Sequence, residues 1–168
     1  VMMGETGKQA FIDKSGEVVI KPGFYQVKEF SHGLAAIQPE QGGKWGYIDT
    51  SGEMVISPQF TEAQSFSDEL SRVSYGHENG GRGWFGFIDR AGEFVISPRY
   101  DSAEDFSAGY SCVFDGNRDR YYIIDKRGNT VIDSVPANTK FSEGLAVIWG
   151  ENNLIIFADT LIPAGKQL

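Results

Sequence analysis

Cysteine occurs once in the 168 residues, at Cys112. That excludes an intramolecular disulfide framework and a cysteine metal cage, and it leaves the compartment open. Histidine is nearly as scarce, with only His32 and His77. The G-x-S-x-G, H-E-x-x-H and phosphate-loop patterns are all missing, so nucleophilic, zinc and phosphate chemistry have no quorum. Neither enzymatic activity nor a bound cofactor is expected. Cations are short too: 15 Lys and Arg face 23 Asp and Glu, a net charge of -8. Nucleic acid, whose binding needs phosphate neutralisation, is therefore not an expected partner. No apolar run approaches the ~20 residues of a membrane helix, so no membrane insertion is expected. Neither end reads as a targeting segment, and the opening Val1-Met2-Met3 is expected to belong to a longer protein.

Repetition is what the chain has in abundance. Phe11-Ile12-Asp13, Tyr47-Ile48-Asp49, Phe87-Ile88-Asp89 and Ile123-Ile124-Asp125 recur at spacings of 36, 40 and 36. A period of this size marks tandem supersecondary units. Each Asp is followed three residues on by Gly16, Gly52, Gly92 or Gly128. Asp accepts a nearby backbone N–H and Gly takes a positive φ, so each pair reads as a hairpin turn. The four carboxylates are accordingly assigned to turn capping, not to a ligand row.

Pro22, Pro58 and Pro98 follow the expected return strands and are expected to end their ladders, since proline has no N–H to donate. Aromatics recur behind them at Phe24, Phe60 and Tyr100, then at Phe30, Phe66 and Phe106. That regularity predicts connections packed on the core. Strands rich in small residues close each copy at Gly33–Ile37, Glu69–Val73, Gly109–Val113 and Gly144–Ile148. The copies run roughly over 8–43, 44–83, 84–119 and 120–153, with a degenerate hairpin at 154–168.

Length variation concentrates in one hairpin loop per copy: Pro39–Gly43, Tyr75–Gly83, Asp115–Arg120 and Gly150–Asn153. A constant scaffold with variable loops on one edge suits a binding surface. Exposed tips also tolerate insertions without any function. Trp45 is expected to pack between copies, Trp84 to be exposed. The candidate binding residues are Tyr75, His77, Arg82, Trp84 and Tyr121, on or near these hairpins. Asp115-Gly116-Asn117-Arg118-Asp119 has the oxygen spacing of a calcium loop's start, but Lys126 stands where the bidentate Glu belongs. Cys112 occupies a core-alanine position and reads as a small buried hydrophobe.

The strings Gly43-Lys44-Trp45-Gly46-Tyr47-Ile48-Asp49 and Gly83-Trp84-Phe85-Gly86-Phe87-Ile88-Asp89, with Ile-x-Pro-x-aromatic and Phe-Ser-x-Gly-Leu-Ala after them, resemble the bacterial WG (KWG) repeat family. The resemblance implies a bacterial origin, variable repeat number, frequent placement in larger or exported proteins, and no established enzymatic chemistry. The expected fold is all-β: tandem three-stranded antiparallel meanders in an open curved array, the alternative being a small closed β-propeller. The expected function is a noncatalytic module binding a protein or glycan through the variable loops, the alternative a structural spacer in a longer protein.

Overall fold

The computed structural model describes residues 2–3, 7–76, 83–136, 139, 141–142, 145–148 and 155–156, with side chains for 7–76, 83–136 and 139. Among these residues there are strands and no helix. Sheet one contains β1 (Met2–Met3), β2 (Gln9–Ile12) and β3 (Val18–Phe24). Sheet two contains β4 (Gln26–Val27), β5 (Leu34–Gln38), β6 (Trp45–Asp49) and β7 (Met54–Phe60). Sheet three contains β8 (Glu62–Ala63), β9 (Ser71–Tyr75), β10 (Trp84–Ile88) and β11 (Phe94–Tyr100). Sheet four contains β12 (Ser102–Ala103), β13 (Tyr110–Asp115), β14 (Arg120–Asp125) and β15 (Thr130–Val135). Sheet five contains β16 (Phe141–Ser142), β17 (Leu145–Ile148) and β18 (Ile155–Ile156).

All pairings are antiparallel between sequence neighbours, and the sheets form an open array with no closed barrel among the described residues. The three long strands of each central sheet make the expected meander, but its frame straddles the sequence repeat. β5 ends copy one yet pairs with β6, which begins copy two, and β9 pairs with β10 likewise. Short hairpin loops favour these partners. The connection crosses instead to the next sheet, where it contributes the two-residue edge strands β4, β8 and β12.

Successive residues of a strand point to opposite faces, and that explains the aromatic–Ile pair. Phe11 packs toward sheet two, where Ile48 meets it with Ala35 and Ile37. Tyr47 points onward to a core with Phe60, Phe66 and Ile88 of sheet three. Phe87 repeats the move with Tyr100, Phe106 and Ile124. Each aromatic therefore faces the following sheet and each isoleucine the preceding one. Trp45 is buried in the second of these cores, as expected.

The connections pack as predicted. Rings of Phe30 and Phe11 lie 4.7 Å apart, Phe66 and Tyr47 5.2 Å, Phe106 and Phe87 4.6 Å. The adjacent serine joins consecutive copies: Ser31 Oγ donates to Phe66 O and Ser67 Oγ to Phe106 O, both at 2.6 Å. The chain then reverses through His32 (φ 51) and Gly33 (φ 83), or Ala108 (φ 52) and Gly109 (φ 86), as in a type I′ turn. In copy two Asp68 (φ 50) and Glu69 (φ 71) hold these left-handed positions.

Gly46 shows what the small residue after Trp is for. Trp45 lies opposite Phe60 and Tyr47 opposite Ile56, so Gly46 alone faces Ser57, Pro58 and Gln59. A Cβ there would collide with Ile56 O and sit 2.8 Å from Pro58 N. Gly86 is under the same constraint, with Ile96 O at 2.6 Å and Pro98 N at 2.7 Å. In copy four Tyr122 takes the position, and the opposing segment shrinks to Asp133 and Ser134, with no proline. Copy one holds the three-residue segment Lys21-Pro22-Gly23 opposite Ala10, so a methyl is accommodated there, whereas a larger side chain and the bulge compete for one volume. Gly86→Val is therefore expected to cost roughly 1–3 kcal/mol through overpacking, read from urea melts; an unchanged midpoint would contradict the bulge contact.

Candidate functional site

The repeated aspartates do the work of turns. Asp49 Oδ1 accepts Ser51 N–H at 2.9 Å, Ser51 Oγ at 2.6 Å and Glu53 N–H at 3.0 Å. Asp13 does the same with Ser15 and Glu17, and Asp89 with the N–H groups of Ala91 and Glu93. Asp125 takes Arg127 N–H, Asn129 N–H and Asn129 Nδ2. Each turn closes on a glycine with φ between 79 and 89°. The Ser15 and Ser51 hydroxyls, aided by backbone N–H groups, hold the Asp13 and Asp49 carboxyls below their ordinary value. At Asp125 partial burial opposes the effect, but the Asn129 and backbone bonds outweigh it.

The calcium-like segment is likewise spent on its own loop. Asp115 Oδ1 accepts Asn117 N–H at 2.9 Å, Asp115 Oδ2 lies 3.4 Å from Arg118 Nε, and Arg118 N–H donates to Asp115 O. Cys112 is buried in a cluster with Ile123 and Val135. Burial, then the nearby Glu104 charge, pushes its thiol up to about 11. A cavity of about 230 Å³ beside it is lined by Glu104, Asp105, Tyr110, Ser111 and Thr139, among others. Asp105 is already engaged, its Oδ1 lying 2.9 Å from Arg72 Nε.

The exposed chemistry gathers at the β9–β10 hairpin. Tyr75 ends β9, Trp84 begins β10, and the two are register partners, each half exposed. The Tyr75 ring meets Phe94 edge-on at 6.1 Å, and Phe94 meets the buried Phe60 at 6.2 Å. A chain of rings thus runs from the core of the preceding sheet to the surface. Behind Trp84, Phe85 lies under the Arg72 guanidinium at 5.4 Å, and Arg72 Nη1 donates to Ala103 O at 2.7 Å. Sequence reasoning missed Phe94. It stands where Val18, Met54 and Thr130 stand in the other copies, and that mismatch was the available signal.

His77 and Arg82 lie outside the described residues, so Tyr75 and Trp84 are the candidates brought together. Tyr121 sits on the next sheet, half-buried against Phe114 at 4.7 Å and the Cys112 cluster. The loops of the neighbouring copies are closed by local bonds, such as Gln38 Nε2 to Gly43 O at 2.8 Å. In copy two Ser74 occupies the Gln38 position, and its buried Oγ has no hydrogen-bond partner among the described residues.

Fold and surface define an all-β tandem-repeat protein whose copies share a scaffold and differ in their loops. The model for the WG containing repeat matches residues 10–45, 45–76 and 85–118, and the chain belongs to that family. No curated protein and no solved structure matches it.

Asp49→Ala is expected to lower the melting temperature at pH 7. The folded-state carboxyl is depressed below its ordinary 3.8. Its contribution is therefore complete above that pH and disappears as pH falls through the depressed value. The gap between the two proteins should close in acid; a gap independent of pH would show that the carboxylate is not the cap. Cys112, with a thiol near 11, should react with a disulfide reagent at pH 8 far more slowly in the folded protein than in denaturant. Equal rates would place the thiol at the surface.

Proposed function

We infer that the chain is a noncatalytic interaction module that binds a protein or a glycan at the β9–β10 hairpin edge. One observation carries the reading: Tyr75 and Trp84 stay half exposed as register partners, and the Tyr75 ring leans on Phe94, which is itself seated on the buried Phe60. Aromatics with few rotatable bonds lose little entropy on binding, and Tyr and Trp are the usual anchors of interfaces. Flat ring faces also suit sugar rings. The buried hydroxyl of Ser74, without a partner among the described residues, adds a polar group beneath the hairpin, close to Gly83. The surrounding repeats then act as a frame that fixes the angle of this corner.

A spacer is the second reading, and the inter-copy bonds of Ser31 and Ser67 favour it, because they stiffen the array irrespective of any ligand. Binding decides between the two. Under the interaction reading, Tyr75→Ala and Trp84→Ala each weaken capture of a partner, on a glycan array or in a pull-down from source cells, by about tenfold or more. Their melting temperatures should stay near that of the parent. Partner capture that survives both substitutions removes this edge as the site.

A further inference from the structure

Asp115-Gly116 is the only Asp-Gly step in the 168 residues. Such a step carries a reaction of its own. The backbone nitrogen after an aspartate can attack the side-chain carboxyl carbon. An N–C bond forms, a C–O bond breaks, and the amide proton leaves with the carboxyl hydroxyl as water, giving a cyclic succinimide. Hydrolysis returns the water and opens the ring to aspartate or to isoaspartate, whose main chain runs through the side-chain carbon. Glycine leaves the approach unhindered, because it sets no Cβ beside the attacking nitrogen. Two conditions must hold: a near-attack contact between nitrogen and carboxyl carbon, and a neutral carboxyl with a hydroxyl to lose.

Both reactants are held in place. Gly116 N–H donates to Asp101 Oδ2 at 2.8 Å, a bond that the acceptor's charge strengthens. Asp101 also packs against the glycine: a Cβ on Gly116 would lie 3.0 Å from Asp101 Oδ2. The carboxylate of Asp115 is turned to its own loop, where Oδ1 accepts Asn117 N–H at 2.9 Å and Oδ2 lies 3.4 Å from Arg118 Nε. Asp101 reaches this loop because β12 lies beside β13. Its N–H donates to Phe114 O at 3.0 Å, and Ser102 pairs with Phe114. Tyr25 and Thr61 make the equivalent backbone bonds, to Gln38 O and Ser74 O, in copies whose hairpins have no Asp-Gly step. The second carboxylate and the step beside it occur together.

We propose that Asp115-Gly116 is a latent isoaspartate site and that Asp101 is the positioning residue that keeps it silent. Attack comes through the face of the Gly116 peptide plane. The bond to Asp101 resists the rotation that would bring that face onto the Asp115 carboxyl carbon. Release has a local consequence for the fold. Asp115 pairs with Arg120 at the end of the β13–β14 ladder, and Asp115 O accepts Arg118 N–H at 3.1 Å. An extra methylene in the main chain at 115 displaces both, and the hairpin loses its closure. The opening that exposes the site is separation of β12 from β13, and β12 is only two residues long. The site therefore records how often that short edge strand detaches.

Prolonged warm incubation of the intact chain at pH 7, followed by peptide mapping that separates aspartate from isoaspartate at 115, tests this. The folded parent should isomerise far more slowly than the same chain in denaturant. Asp101→Ala should raise the folded rate by about tenfold, the scale on which attack follows geometry, at an unchanged melting temperature. Should that variant melt early, Asp101→Thr, which installs the residue of copy two, carries the same expectation. Asp101→Asn keeps an oxygen acceptor in place and should stay near the parent. Asp133→Ala removes the 3.1 Å ion pair to Arg120 on the same hairpin and should also stay near the parent, because it leaves the Gly116 N–H bond intact. A parent that isomerises equally fast folded and unfolded overturns the proposal, and so does an Asp101→Ala rate at or below the parent's. An equal rise in Asp101→Asn or in Asp133→Ala overturns the part given to the hydrogen bond.

Discussion

Burial of each central sheet on both faces is the constraint from which the rest follows. A strand that sends Tyr47 forward and Ile48 back belongs to two cores at once. No central sheet can hide its apolar surface by itself, so the units hold together by mutual coverage. The recurring aromatic–Ile–Asp string compresses this into three residues: one side chain for each neighbouring sheet and a carboxylate to reverse the chain.

The serine bonds and the glycine bulges refine that plan. Packing alone would allow neighbouring sheets to slide, but the hydroxyls of Ser31 and Ser67 fix where each connection meets the next. The bulge opposite Gly46 lets proline sit in a strand that still pairs, because the backbone there bows over a residue with no side chain. Copy four obeys the same rule from the other side. Tyr122 fills the space, the opposing segment is one residue shorter, and the ring packs toward Tyr100 at 6.1 Å.

Much of this was legible in the sequence, for local reasons. Asp with Gly three residues on defines a turn through hydrogen bonds and φ alone, so all four hairpins could be placed. The packed connections and the buried Trp45 followed from regular spacing. The frame of the sheets was less accessible, because whether β9 pairs with β7 or with β10 is decided by how the connection crosses, not by composition. Two-residue strands such as Glu62–Ala63 have no periodicity to detect. The candidate site was half legible. Trp84 and Tyr75 were found through loop variation, whereas Phe94 looked like one more strand residue until its neighbour across the sheets was known. The exposure of Val19, Val55, Val95 and Val131 escaped for a further reason: a repeated apolar residue in a strand looks like core until exposure is measured.

The serine links have one more property. Ser31 donates to the carbonyl of Phe66 and Ser67 to that of Phe106, each reaching the copy that follows in the chain. The described links therefore share one direction, each donor lying before its acceptor in the chain. Two such columns meeting end to end can continue the bond only head to tail, and a head-to-head meeting places donor against donor. The array is directional along its length.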